Sequence, residues 1–472
     1  MKAAVASLPL FALLCASAQA APIVFEAEHA NGIDAVFLID EVRECSGGLC
    51  LTVPDDAAEP AGLTITGAKK NYVVNAEREG PYDAWFRVYW EHACANSFWL
   101  SVNAATQQKV TDTVYSRWHW LKGPAVRLKK GGNVLALSNR EDGAFIDQIA
   151  FASRGELAAP PAGTLKPTVI PADPEGPAYN VFFQLPVRQR FVWDGRTSES
   201  SGELGSKVNL RGKPAGREVF IAPGLHADMA VWIRSNTLEE KTLTVMMNVP
   251  KHVAVQRPDA DGKPFTVSVA RGTPLSKIAL RVSCTDTLPR DTRAMRIHLL
   301  EDSKVVASES VHVTRPFDWA LCGPLPAEAP GQPDTSGVDT KAPWAGPVGG
   351  RAWVRPGPAE YLGPGGSVDV LRVLGKGTHT SALACTRVSA AKDGEYELLV
   401  ENDDQIVVWM DGNILYRNKK EGPAGRSRTL VKTALTKGTH TILLRIFQTE
   451  RHWEFKVAPV TPGITGQPFS RW

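Results

Sequence analysis

Along most of this chain apolar and polar residues alternate with a period of two, the spacing of half-buried β-strands and not of amphipathic helices. The clearest case is Tyr82-Asp83-Ala84-Trp85-Phe86-Arg87-Val88-Tyr89-Trp90, and Phe98-Trp99-Leu100-Ser101-Val102 repeats the pattern. Counting by twos sets Tyr82, Ala84, Phe86, Val88 and Trp90 on one face and Trp85 and Tyr89 on the other; one of these sets fills a core. Val36-Phe37-Leu38-Ile39, Leu63-Thr64-Ile65 and Val134-Leu135-Ala136-Leu137 predict further strands, the last after the turn Lys130-Gly131-Gly132. A polar loop, 138–143, leads into Phe145-Ile146-Asp147-Gln148-Ile149-Ala150-Phe151. There the same count places Phe145, Asp147, Ile149 and Phe151 together. A carboxylate in such company needs a partner, because an unpaired buried charge is costly. Phe25-Glu26-Ala27-Glu28 brings out two more carboxylates on one face, so paired first and last strands would gather three of them.

The pattern breaks between 159 and 177, where prolines at 160, 161, 167, 171, 174 and 177 predict an extended, stiffened linker. Alternation resumes from 179 to 316 in Met229-Ala230-Val231-Trp232-Ile233, Thr242-Leu243-Thr244-Val245-Met246, Ile278-Ala279-Leu280-Arg281-Val282 and Val305-Val306-Ala307. Their spacing predicts an immunoglobulin-like sandwich. Within it Gly224-Leu225-His226-Ala227-Asp228 reads as a turn carrying an incidental histidine. A third unit opens near Phe317-Asp318-Trp319 and runs through a Gly/Pro-rich excursion. It then returns to strands at Gly394-Glu395-Tyr396-Glu397-Leu398-Leu399-Val400, Ile406-Val407-Val408-Trp409-Met410 and Thr441-Ile442-Leu443-Leu444-Arg445-Ile446, with Asp411-Gly412 as a hairpin signal. The organisation expected is therefore all-β: three β-sandwich domains at 21–153, 179–316 and 317–460, a linker at 154–178 and a tail at 461–472.

At 472 residues the chain is too long for one core, which agrees with three domains. Its net charge of +3 is too small for a nucleic-acid footprint. The opening Met1-Lys2, an apolar run to Cys15 and Ala18-Gln19-Ala20 read as a signal peptide over 1–20, placing the mature protein outside the cell or in the periplasm. That run is too short to span a bilayer and no other stretch is long and apolar enough, so no membrane span is expected. Cys45 and Cys50 flank a flexible turn that a bridge would close; Cys322 with Cys385 is a weaker pairing.

Residues 22–152 resemble carbohydrate-binding modules of families 6 and 35. The resemblance rests on the order of an opening Glu26-Ala27-Glu28 strand, Gly80-Pro81-Tyr82, a tryptophan-bearing loop, Lys130-Gly131-Gly132-Asn133 and a closing Asp147-x-Ile149-x-Phe151 strand. It implies a jelly roll with a structural calcium held by Glu26, Glu28 and Asp147, and a sugar cleft in the loops at one end. Calcium takes six to eight oxygen ligands, which carboxylates and carbonyls can supply. The ligand residues implied are Trp118, Trp120, Asn139 and Arg140. Alternation puts Trp118 and Trp120 opposite His119, so either the tryptophans or the histidine point inward. Tyr115-Ser116-Arg117 replaces the glycine-rich approach usual in the family. Residues 317–458 are similar to the protective-antigen-type and galactose-binding-like sandwiches attached to bacterial glycosidases, an immunoglobulin-like unit lying between the two jelly rolls. That similarity implies a secondary site at Asp403, Asp404 and Trp409, with a second calcium on the aspartate pair.

A saccharide presents apolar C–H faces ringed by hydroxyls, so exposed indoles flanked by polar side chains suit it. The expectation is a secreted, non-catalytic protein whose partner is a polysaccharide or glycan. A structural or assembly protein of the cell surface is the competing class. An all-β polysaccharide lyase or hydrolase accessory, using His119 or His92, ranks third. No G-x-S-x-G, H-E-x-x-H or phosphate loop occurs.

Overall fold

A computed structural model of the chain describes residues 21–469 except 32–36, 54–71, 92, 94, 142, 155–159, 161–162, 185–187, 194–195, 202–208, 211–212, 215–217, 222, 224–225, 238, 259–265, 271, 286–291, 327–337, 362–366, 376, 403, 419–426, 450–452 and 462. The segment expected to be a signal peptide, the strand expected at Leu63-Thr64-Ile65, His92 and Asp403 lie outside the described residues. So do Gly224 and Leu225 of the turn that carries His226.

Antiparallel sheets dominate, paired face to face as all-β sandwiches. The first sandwich contains β1 (Ile23–Glu26), β2 (Leu38–Glu41), β3 (Leu49–Val53), β4 (Tyr72–Ala76), β5 (Gly80–Trp90), β6 (Ser97–Val102), β7 (Gln108–Thr111), β8 (His119–Leu128), β9 (Gly131–Asn139) and β10 (Ala144–Ser153). One sheet runs β2-β3-β10-β5-β8, with β1 also on β10; the other runs β4-β9-β6-β7. First and last strands thus pair, Phe25 opposite Ile149 and Glu26 opposite Gln148. Between the sheets lies a core of Phe25, Phe86, Trp90, Phe98, Ile149 and Phe151. The even-numbered set of β5 fills it, leaving Trp85, Arg87 and Tyr89 on the outer face. Asn133 fixes the β8–β9 turn, accepting from the Lys129 amide at 3.0 Å and donating to the Lys129 and Gly131 carbonyls.

The period-two count fails in one place that matters. Between Ile146 and Gln148 the β10–β5 register shifts by a bulge, so the core takes Ala144, Ile146, Ile149 and Phe151. Phe145 and Asp147 do not share the face of Ile149 and Phe151. An extra residue left unpaired in one strand re-aims its side chain, and here that residue is the buried aspartate.

The proline-rich segment is extended but is no free spacer. It folds back along the first sandwich: Thr168 and Val169 donate to the Val24 carbonyl, Thr168 Oγ1 accepts from the Val24 amide at 2.8 Å, and Ala172 donates to the Val73 carbonyl. Edge groups of β1 and β4 are satisfied in this way. The second unit pairs a four-stranded sheet, including His226–Ser235 and Leu275–Cys284, with a five-stranded one. Leu38 of the first sandwich is buried in its core, and Gln184 exchanges two hydrogen bonds with the Ile39 backbone, at 3.0 and 2.6 Å. Arg234, almost fully buried, donates to the carbonyls of His29, Ala30 and Pro171. The first two units are therefore docked.

The third unit again pairs six-stranded and four-stranded sheets. It extends past the boundary expected at 460, because Ile464–Gly466 pairs with Val388, Ser389 and Ala390. Among the described residues no helix is long and apolar enough to cross a membrane.

Candidate functional site

The chemistry-bearing residues of the first sandwich fall into two neighbouring groups. The inner group is acidic. Glu26 ends β1, the one-turn Ala27–His29 helix carries Glu28, and the β10 bulge turns Asp147 toward them; all three are buried. Ser46, in the turn before β3, serves two of them: its hydroxyl donates to Glu26 Oε1 at 2.7 Å and its amide to Asp147 Oδ1 at 2.8 Å. Gln148 Nε2 donates to the same Glu26 oxygen at 3.2 Å. The buried Arg87 guanidinium pairs with Asp147 and also donates to the Glu44 carbonyl. Oε2 of Glu26 and Oε2 of Glu28 have no hydrogen-bond partner among the described residues.

Burial raises all three carboxyl pKa values. Glu28 is pushed furthest, by burial first and then by the negative charges of Glu26 and Asp147. For Asp147 burial outweighs the Arg87 pair, which pulls the other way. Among the described residues no three His, Cys, Asp or Glu side chains stand at metal-ligand spacing. The expected trio does gather, but Asp147 is committed to Arg87 and Ser46, leaving the two glutamates with the unsatisfied oxygens.

The outer group is aromatic. Tyr89 on β5 lies opposite Phe145 on β10, with ring centres 5.9 Å apart in an edge-to-face arrangement. Trp118, just before β8, stands 5.7 Å from Tyr89, and the Arg87 guanidinium lies 5.0 Å from its ring centre. All three rings are half-buried and line a cleft of about 1080 Å³ between this sheet and the second unit. His119 turns the other way; Nε2 meets Asp112 at 2.8 Å and Nδ1 the Arg117 carbonyl at 3.1 Å. Both ring nitrogens are thus engaged, away from the three rings.

The remaining expected ligand residues are placed elsewhere. Trp120 shares the outer face, but its indole N–H donates to the Gly163 carbonyl at 2.7 Å and it packs with Val24, Trp85 and Leu165 beneath the docked proline segment. Asn139 closes β9 opposite Phe98, in the other sheet. Arg140 follows it and binds Glu141 and the Ser97 hydroxyl. The sequence-based groove of Trp118, Trp120, Asn139 and Arg140 is therefore split between two sheets.

In the third unit Trp409 is buried among Cys322, Leu383, Cys385, Val407 and Leu443, with no face left for a ligand. Asp404 is also buried and its Oδ2 accepts from the Thr449 amide at 2.7 Å. These two residues hold a core and a turn instead of a ligand, which corrects their part in the secondary site expected there; Asp403 lies outside the described residues. Neither cysteine pairing is formed: Cys45, Cys50, Cys322 and Cys385 are buried free thiols.

Arg87, Tyr89, Phe145 and Ser46 were not singled out from sequence. Alternation set Tyr89 on one of the two faces of β5 without saying which is the core, and Arg87 shares its parity. Nothing local marked Ser46, which acts through tertiary placement.

No protein-family model matches the chain, and no curated protein matches it. Solved structures similar to it include a family 35 carbohydrate binding module from Clostridium thermocellum, at 20% identity and a TM-score of 0.22, covering 28% of this chain and 98% of that one. A GH26-CBM35 β-(1,4)-mannanase from Podospora anserina matches at 17% identity and a TM-score of 0.22, over 31% of this chain and 29% of the mannanase. The secreted serine protease VesC from Vibrio cholerae aligns over 79% of this chain and 74% of its own, at 6% identity and a TM-score of 0.19. Likeness of this degree leaves function to be argued from the site.

Proposed function

We propose that this protein binds a polysaccharide or glycan through its first sandwich, without catalysing a reaction on it. The observation that carries this reading is the ledge of Tyr89, Trp118 and Phe145. Three rings stand side by side on an outer sheet face and open on a cleft, although the core face of the same strands already holds its own aromatic set. Such rings offer flat apolar surface to sugar C–H faces, with polar groups at their margins for hydroxyls. The family resemblance of residues 22–152 supports the same class of ligand. A signal peptide at 1–20 fits a protein that meets its glycan outside the cell or in the periplasm.

A structural calcium belongs to this reading. With all three carboxylates ionised, Glu26, Glu28, Asp147 and Arg87 sum to minus two, the charge a divalent cation cancels. Glu26 and Glu28 would hold it through their unpartnered oxygens, which suit a hard cation. A bound ion would supply positive charge to this buried acidic cluster. Arg87, anchored on Asp147, then braces Trp118 from below.

The test is polysaccharide binding by the full chain on a glycan array and by affinity electrophoresis, with calcium present and after chelation. Retention by at least one polysaccharide is expected, with Trp118→Ala binding at least tenfold more weakly, as loss of a sugar-stacking ring implies. No retention by any polysaccharide would sink the reading, as would a Trp118→Ala variant that binds like the parent. Calcium is tested separately. It should raise the thermal midpoint at pH 7, and Glu28→Gln should remove that response; an unchanged midpoint would leave the cluster metal-free.

A further inference from the structure

The aromatic ledge faces a second wall. Strands His226–Ser235 and Leu275–Cys284 of the middle unit pair in a register that sets Asp228 opposite Arg281, Ala230 opposite Ala279, and Trp232 opposite Lys277. Every second residue shares a face, and all six of these line the cleft across from Tyr89, Trp118 and Phe145. The central pair is alanine on both strands, so the wall is recessed in its middle between an ion pair and an indole. Trp232 is buried, yet its indole N–H has no hydrogen-bond partner among the described residues. A buried donor without an acceptor is costly, and this one lies packed with Ile39, Phe182 and Leu275 instead of open to the cleft.

We infer that the glycan site is composite, with the middle unit as its second wall, and that its ligand is a neutral polysaccharide. This rests on the saccharide reading above. The charges of the wall decide the class. Arg281 spans Asp228 with contacts of 2.7 and 3.1 Å, and Lys277 reaches across the cleft margin to Glu41 at 2.7 Å. Both cations that the middle unit presents are thus neutralised. On the other side, Arg43 and Arg117 are outnumbered by the first unit's carboxylates. A uronate would meet no net positive charge, since five carboxylates face four cations in the lining, whereas hydroxyls can bond to either member of each ion pair. The wall is also preformed. Leu38 in the middle core, the Gln184–Ile39 exchange and Arg234 on three carbonyls of the first unit and the docked segment fix the two faces of the cleft.

Binding by the full chain to neutral polysaccharides and to polyuronates tests the proposal. Ala279→Trp fills the recess from a half-buried position; it should abolish binding while leaving the thermal midpoint near that of the parent. Arg281→Ala, at a half-exposed pair, should weaken binding about tenfold, the scale of a lost hydrogen bond to a charged group. If Trp118→Ala loses binding but Ala279→Trp and Arg281→Ala do not, the ledge binds sugar alone and the composite site falls. Retention by polyuronates only would overturn the ligand class. If the parent chain binds no polysaccharide, the saccharide reading itself fails and the composite site with it. Should Ala279→Trp lower the thermal midpoint, Arg281→Ala decides between these outcomes.

Discussion

The guanidinium of Arg87 lies 5.0 Å from the centre of the Trp118 ring while the same side chain is paired with Asp147. One buried cation therefore touches both halves of the candidate site, the acidic cluster beneath and the aromatic ledge above. Removing a single member of a buried ion pair leaves the other charge uncompensated, which costs about 3–5 kcal/mol. Arg87→Ala should accordingly unfold the first sandwich at markedly lower urea. Replacing both partners, Arg87→Leu with Asp147→Leu, should recover much of the loss. A single variant as stable as the parent would show that Asp147 is satisfied without Arg87.

Much of this was legible from periodicity. The strands of β5, β9 and β10, and those of the middle unit, follow from alternation, which divides β5 into two faces without saying that the even-numbered one is the core. The bulge at Asp147 was not legible, because register depends on the partner strand and not on the residues of β10 alone. The split between the tryptophans and Asn139 was hidden for a related reason. Asn139 closes β9 in one sheet, whereas Trp118 precedes β8 in the other. Trp120 lost its ligand role to the proline segment, whose docking no local pattern predicts.

Trp409, expected from the sequence to be a ligand residue, serves packing alone. It sits on the outer side of the third unit's six-stranded sheet, under a cover that includes Trp344 and Trp353. Trp409→Ala should cost about 3–5 kcal/mol, the usual price of emptying a buried aromatic position. Glycan binding at temperatures where the variant stays folded should be unchanged. Binding lost without a fall in stability would return Trp409 to the ligand residues.

Among the described cysteines, burial sorts reactivity. Cys50 is raised by its contact with the Cys45 thiol and by burial, while Cys322 and Cys385 are raised by burial itself. Thiolate is the reacting form, so these three, and the buried Cys45, should resist alkylation in the native protein. Cys284 is half-buried and should label first among the described five. Peptide mapping after a short iodoacetamide pulse at pH 8 checks the order, and early labelling of Cys50 or Cys385 would show that the sandwiches open readily there.

His440 gives the third unit a pH dependence whose sign can be worked out. Burial opposes its charge, but Asp411 at 2.6 Å and the Thr436 carbonyl at 2.8 Å outweigh burial and raise its pKa above the ordinary histidine value. Asp411 meanwhile accepts from the Thr441 amide at 2.8 Å, so the pair pins the Asp411-Gly412 turn to the strand Gly438–Gln448. A raised folded-state pKa means that the protonated form binds its proton more tightly when folded. The stabilisation is complete below the unfolded value near 6.5 and is lost as pH climbs through the folded value. Hydrogen exchange in Gly438–Gln448 should therefore quicken above neutral pH beyond the intrinsic base-catalysed rise, and His440→Gln should remove that excess. A proton NMR titration of the His440 ring that gave a pKa below 6.5 would reverse the sign and rule out the Asp411 pair as its source.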